Sequence, residues 1–406
     1  MKYTQIIRAP SYINAEINLP ASKSISNRAL VIEELCHHSF QINNLSDAND
    51  TLLMQSLLNN PGKEKNVKNA GTVMRFLTAY YACSNQEVIL KGEDRMYERP
   101  IGELVNALRS LGADIEYIKE EGYPPLSIKG KELKGGEISL PSNISSQFVS
   151  ALLLIAPTIK EGLILHLIGN IASVPYIRLT LSILEYFGIK ASWVGNSITI
   201  KHQKFVPRDI SIESDWSSAS YFWALCALVP GSEMYFPNLL RDSKQGDSII
   251  KELMKPFGIE YQSYHSGIKI ISNPAQPKNF EFNFIDYPDL IPTFTILCCA
   301  KKISFDIYGI ETLKHKESDR ALVLQNELKK WGYDIANNSK SLSCKVFPAS
   351  FPKDKIILDT YNDHRMAMSF ALLPRNSLIG NSDVVSKSFP GFWEELGKCG
   401  FGMLNS

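Results

Sequence analysis

Lys23, Arg28, Arg75, Arg95, Arg99, Lys314, Lys316, Arg320, His364, Arg365 and Lys387 are scattered along 406 residues, yet they stand in short segments of Gly, Ser, Pro and apolar residues. A lone Arg or Lys is most often a solvated surface charge. Cations set among small and apolar residues suit a shared anion site instead, because Arg makes forked contacts with carboxylate or phosphate and Lys offers a compact charge. Among the carboxylates, Asp289 and Glu317 are the best placed beside these cations. Many fixed cations with two such carboxylates suit a substrate bearing phosphate or carboxylate groups and chemistry by proton transfer. The chain has no Gly-x-x-x-x-Gly-Lys-Ser/Thr loop, no Gly-x-Gly-x-x-Gly after a strand and no His-Glu-x-x-His. Those absences disfavour a P-loop kinase, a dinucleotide enzyme and a zinc protease.

The elements that must position these residues repeat. Six segments pair a small or polar cluster with about a dozen mostly apolar, helix-forming residues. They begin at Ser24, Gly71, Ser145, Ser217, Asp289 and Asp363, at intervals of 47, 74, 72, 72 and 74 residues. A helix apolar nearly all round must be buried on every side. Between them recurs an amphipathic helix ending at Gly, followed by strand-like alternation, with the glycines at 112, 188, 258, 332 and 400 as left-handed caps. Each unit therefore reads as buried helix, strand, amphipathic helix and strand hairpin. The first, between Leu30 and Asn69, is about 25 residues short; it has Gly62 as its only candidate cap and is expected to have lost a strand pair. Six buried helices sort into two groups of three, which predicts two pseudo-threefold α/β domains. Polar clusters at the helix starts put free N–H groups and the positive dipole end beside bound anions, although Ser, Asp and Asn there also serve simply as caps.

Composition frames this reading. Lys and Arg number 43 against 42 Asp and Glu, a net charge of +1, and 44% of residues are hydrophobic, so a basic nucleic-acid binder, an acidic disordered chain and a collagen-like chain are excluded. The seven cysteines form no CxxC pair or zinc spacing and read as free, mostly buried thiols. The first twenty residues lack the apolar core of a signal peptide, and the longest apolar stretch, 148–168, is interrupted by Pro157, Lys160 and Glu161. A cytoplasmic location is expected.

The segments LPASKSISNRAL (19–30), NAGTVMRFL (69–77), GEDRMYERPIGELVNAL (92–108), SSQFVSALL (145–153), LKHKESDR (313–320), YNDHRMAMSFAL (361–372) and SKSFPGFWEEL (386–396) together closely resemble the 5-enolpyruvylshikimate-3-phosphate synthases, a family of enolpyruvyl transferases. The resemblance runs in order almost end to end. It implies a two-domain inside-out α/β barrel with three βαβαββ repeats per domain. The N-terminal domain would be 21–212, the C-terminal one 1–20 with 213–406, and the active site the cleft between them. The implied reaction adds phosphoenolpyruvate to the 5-hydroxyl of 3-phosphoshikimate and then eliminates phosphate.

Position by position, the resemblance implies that 3-phosphoshikimate is held by Lys23, Ser24, Arg28, Ser145, Ser146, Gln147, Ser173, Tyr176, Asp289, Thr312 and Lys316. Phosphoenolpyruvate would be held by Lys23, Asn69, Gly71, Arg99, Gln147, Arg320, His364, Arg365 and Lys387. Asp289 is implied as acceptor of the 5-hydroxyl proton, Glu317 as proton donor or acceptor at the vinyl carbon, and Lys23 as a contact to both substrates. The pair of substrates carries roughly −5 to −6 near neutrality, which seven of these cations against Asp289 and Glu317 can balance without metal or cofactor. Anions gripped from both domains imply closure on binding; a monomer with no nucleic-acid or membrane partner is expected.

Three positions depart from the family pattern. Val174 stands where a basic residue is frequent and removes one auxiliary contact. Phe76 stands where Pro is frequent and is expected to reshape the start of its helix. Thr312 replaces an Asn of some members. Gly71 leaves room beside the donor site, which implies inhibition by glyphosate. The competing readings are the UDP-N-acetylglucosamine enolpyruvyl transferases, which carry a Lys-Asn pair where Lys23-Ser24 stands and a reactive Cys absent from GEDRMYERPIG, and an idle anion-binding repeat protein, disfavoured because Asp289 and Glu317 accompany the cations.

Overall fold

The computed structural model describes residues 2–36, 39–141, 145–350, 352, 354–373 and 377–405. They form two compact units, one of residues 23–46 and 50–212, the other of residues 1–22, 47–49 and 213–406. All six apolar segments are helices. In the smaller unit Lys23–Cys36, Gly71–Cys83 and Ser146–Ile155 pack on one another. In the larger, Ile291–Lys301 packs on both Trp216–Leu228 and His364–Phe370. From Ile291 to Cys299 every residue is buried, as its all-round apolarity requires. Each fully buried Leu, Ile or Phe there contributes about 1.5–3 kcal/mol. Pro292 is tolerated because it falls in the first turn, where its missing N–H would have no helical partner.

The outer helices bury one face only; Gly102–Ser110 buries Leu104, Val105, Ala107 and Leu108. The five cap glycines all have positive φ, from 81° at Gly332 to 102° at Gly112. Gly62 does not. The carbonyls ending the helix Asn49–Asn59 are met instead by the buried Lys65 ammonium, which donates to Leu57 O (3.1 Å) and Asn60 O, 5.6 Å from the Tyr81 ring centroid. A cation satisfies a helix C-terminus as a left-handed glycine does.

Each repeat carries an open four-stranded sheet, except the first. Among the described residues its place is taken by two short parallel strands, Ile42–Asn43 and Ile210–Ser211, in keeping with the expected loss of a strand pair. In the larger unit Tyr3–Arg8 lies between Ser377–Gly380 and Gly402–Asn405, and Asn14–Glu16 pairs with Glu233–Pro237. The chain then reaches Lys23 through a pinned segment. Ala21 bridges Ser214, and Ser22 N–H donates to Glu213 O at 2.8 Å. The buried Gln245 amide accepts from the Ser22 hydroxyl (2.9 Å) and Trp216 N–H (3.1 Å) and donates to Ser214 O (2.8 Å).

Candidate active site

In the larger unit, a 3-10 turn at Pro288–Leu290 leads into the Ile291 helix and presents Asp289 to three cations. Arg320 Nη1 donates to it at 2.9 Å, Arg365 Nη2 at 2.8 Å and Lys316 Nζ at 3.2 Å. Burial pushes the Asp289 carboxyl up, but Arg365, Lys316 and Arg320 outweigh it and hold the pKa well below the usual carboxylate range. Arg320, 1% exposed, also donates from Nη2 to Glu317 at 2.8 Å. Burial lowers the Arg320 pKa, yet Asp363, Glu317 and Asp289 together raise it, so this guanidinium stays charged.

Asp363 is the group that the sequence reading did not single out. Fully buried, it accepts from Arg320 Nε (2.8 Å) and Ser318 Oγ (3.1 Å), and it caps the His364 helix by accepting from Arg365 N–H (3.0 Å). Tyr361 and Asn362, both left-handed at φ 50° and 56°, turn the chain into that cap. The only sequence signal was an Asp before an apolar helix, which also fits an ordinary cap. His364 is buried with Nδ1 3.9 Å from Asp363. Lys387 donates to Asn362 O at 2.8 Å, and Thr312 is buried one residue before the turn Leu313–His315.

A second unanticipated carboxyl, Asp247, is buried at 2% exposure and accepts from the Ser217 hydroxyl. Burial, then Asp289, push its pKa up to about 6, against the pull of Arg365 and Ser217. The unfolded value is near 3.9. A carboxyl raised on folding adds no penalty below that value; its penalty grows as pH rises towards 6 and is complete above. Asp247→Asn is therefore expected to stabilise by roughly 2–3 kcal/mol at pH 7.5 and by little at pH 4. Urea melts at both pH values check this; an equal difference at the two would contradict it.

The smaller unit collects the other residues at its three buried helices. Lys23 Nζ pairs with Asp50 at 3.0 Å, both largely buried. Arg28, on the same helix, donates to Ser24 O at 2.8 Å and to Tyr176 O at 3.3 Å. Ser145 caps the Ser146–Ile155 helix by accepting from Gln147 N–H, and Gln147 Nε2 donates to Thr72 Oγ1 at 3.1 Å. Ser173, at φ 58°, is the left-handed residue before the helix Val174–Tyr186. Arg99 Nη1 donates to Asn69 O at 3.2 Å, while Asn69 Nδ2 donates to Glu93 at 2.7 Å. A Cβ on Gly71 would lie 2.4 Å from Arg99 Nη2, so this glycine is set by close approach. The helix Gly71–Cys83 begins at Gly71 and runs unbroken past Phe76.

The structure thus joins Asp289, Lys316, Glu317, Arg320 and Arg365 in one network, and Ser24, Arg28 and Tyr176 in another. Gly71, Asn69 and Arg99 form a third group, linked to Ser145 and Gln147 through Thr72. All seven cysteines are free, six of them buried and Cys83 half-buried. Among the described residues no helix is long and apolar enough to cross a membrane.

The family model described as EPSP synthase (3-phosphoshikimate 1-carboxyvinyltransferase) matches residues 7–65 and 57–396. The chain is 43% identical over 411 residues to the 3-phosphoshikimate 1-carboxyvinyltransferase of Bacteroides fragilis (strain YCH46), with 99% of each chain covered. To the enzyme of that name from Marinomonas sp. (strain MWYL1) it is 35% identical, covering 95% of this chain and 96% of the other. The EPSP synthase structure from Acinetobacter baumannii shares the fold at a TM-score of 0.79 and 21% identity, covering 100% of this chain and 99% of that one. A match along nearly the whole chain, with identity of this size to full-length relatives, makes this protein a member of the EPSP synthase family, the 3-phosphoshikimate 1-carboxyvinyltransferases, transferases of the shikimate pathway.

Proposed function

We propose that this chain transfers the enolpyruvyl group of phosphoenolpyruvate to the 5-hydroxyl of 3-phosphoshikimate. The observation that supports it most is Asp289, a half-buried carboxylate shared by Arg320, Arg365 and Lys316. The 5-hydroxyl proton passes to Asp289 as the hydroxyl oxygen bonds to C2 of phosphoenolpyruvate, and Glu317 delivers a proton to C3. The tetrahedral intermediate then loses phosphate from C2, which departs with the proton held by Asp289, while Glu317 takes a proton back from the methyl group, which restores the double bond. The three cations suppress the basicity of Asp289. Donor phosphate and carboxylate engage Arg320 and Arg365 and restore it, so the base becomes effective when the donor is in place.

Lys23, Ser24, Arg28, Ser145, Ser146, Gln147, Ser173, Tyr176, Thr312 and Lys316 hold the acceptor in this proposal. Asn69, Gly71, Arg99, Arg320, His364, Arg365 and Lys387, with Lys23 and Gln147, hold the donor. The reaction requires no cofactor or metal, and we place the enzyme in the cytoplasm as a monomer. Phosphorus NMR of an incubation with both substrates tests the reading: a new enolpyruvyl ether and stoichiometric phosphate are expected, and unchanged substrates would reject it.

Gly71→Ala pushes the Arg99 guanidinium aside, since the new methyl would sit 2.4–2.8 Å from three of its atoms. A displacement of about an ångström at a positioning group costs up to ~100-fold. The expected result is a KM for phosphoenolpyruvate raised about ten- to a hundredfold, with the KM for 3-phosphoshikimate nearly unchanged. Steady-state kinetics with each substrate varied in turn check it.

A further inference from the structure

Arg28 is buried at 4% exposure, and among the described residues its guanidinium hydrogen-bonds only to neutral oxygens. Nε donates to Thr180 Oγ1 at 2.8 Å, Nη1 to Ser24 O at 2.8 Å, and Nη2 to Ser150 Oγ at 3.0 Å and Tyr176 O at 3.3 Å. Four of its five N–H donors are thereby used. The contrast with Arg320 is sharp, because that guanidinium has three carboxylates around it. Burial without an anion lowers the Arg28 pKa to about 10, and an isolated buried charge is costly. One further group compensates. The ring of Phe76, 1% exposed on the neighbouring Gly71–Cys83 helix, lies with its centroid 5.3 Å from the guanidinium carbon. The negative face of an aromatic ring attracts a cation, and more strongly where water is excluded.

We propose that Phe76 is a positioning residue for acceptor binding: its ring face holds the Arg28 guanidinium in place and charged, ready for the anionic group of 3-phosphoshikimate. The inference rests on the reading of Arg28 as an acceptor contact. A carboxylate under Arg28 would neutralise it before the substrate arrived. The ring stabilises the cation while leaving its net charge for the ligand. Thr180 supports the same geometry, because its hydroxyl accepts from Nε and donates onward to Ser150 (2.9 Å) or Tyr176 O (2.9 Å).

The test compares Phe76→Leu, Phe76→Met and Phe76→Tyr with the wild type, beside Arg28→Met. Loss of the ring face is expected to raise the KM for 3-phosphoshikimate about tenfold, from an attraction of this strength, with kcat and the KM for phosphoenolpyruvate within about twofold. Tyr keeps the face and should restore the wild-type value. Met is unbranched and suits a helix, so it carries the same expectation if Leu fails to fold. Thermal melts of each variant separate packing from binding: a lowered melting temperature with both KM values unchanged, or raised in parallel, overturns the proposal. If Arg28→Met leaves acceptor KM untouched, the acceptor reading of Arg28 fails and the proposal falls with it. If Arg28→Met raises that KM and Phe76→Leu does not, the role of Phe76 alone is refuted.

Discussion

Asp289→Asn is expected to lower kcat about a thousandfold without raising the KM for phosphoenolpyruvate. A positioned general base contributes about 10²- to 10⁴-fold, and Asn has no carboxylate to receive the 5-hydroxyl proton. The KM expectation follows from the contacts. Arg320 and Arg365 both donate to Asp289, so the carboxylate competes with donor anions for those cations. Its neutral isostere competes less. Removing one member of a buried ion cluster typically costs about 3–5 kcal/mol, but Arg320 keeps Asp363 and Glu317 as partners. The variant should therefore fold with a reduced melting temperature. Retention of more than about a tenth of wild-type kcat is far above what loss of a general base allows and would remove Asp289 from that role.

Lys23→Met is expected to abolish turnover, to below about a thousandth of wild type, with the fold intact. Charge-assisted contacts to phosphate and carboxylate are among the strongest a site can make, and a preorganised cation lost from developing charge costs about 10²- to 10³-fold. Lys23 is proposed to contact both substrates, which compounds the loss. The fold should tolerate the change because Asp50, left without its ammonium, stands in the first turn of the helix Asn49–Asn59, where a negative charge is favoured by the helix dipole. Circular dichroism and a thermal melt accompany the assay. An unfolded variant would return Lys23 to a structural role.

The helices were legible because burial on all sides leaves an apolar signature that no outer helix shares, and the five glycines because only a left-handed cap needs them at those places. Gly62 misled for a physical reason: a cation can satisfy the same carbonyls, and nothing in the spacing of Lys65 marks it as that cation. The cations were legible as types. Their partners were not. Asp363 meets Arg320 across 43 residues, and Asp50 meets Lys23 across 27. Such pairings are set by the packing of helices, which local pattern does not encode. Asp247 escaped for the same reason, since a single Asp between Gly and Ser reads as an ordinary turn residue. Phe76 was visible only as a departure from a family pattern. Its relation to Arg28 needed two helices brought side by side.

Acceptor-dependent phosphate release from phosphoenolpyruvate, run on the wild type and Asp289→Asn with 3-phosphoshikimate or UDP-N-acetylglucosamine as acceptor, tests the acceptor and the base together. Rapid release is expected with 3-phosphoshikimate only, reduced about a thousandfold in the variant. Release with the sugar nucleotide only, or release with 3-phosphoshikimate that survives in the variant, would contradict it.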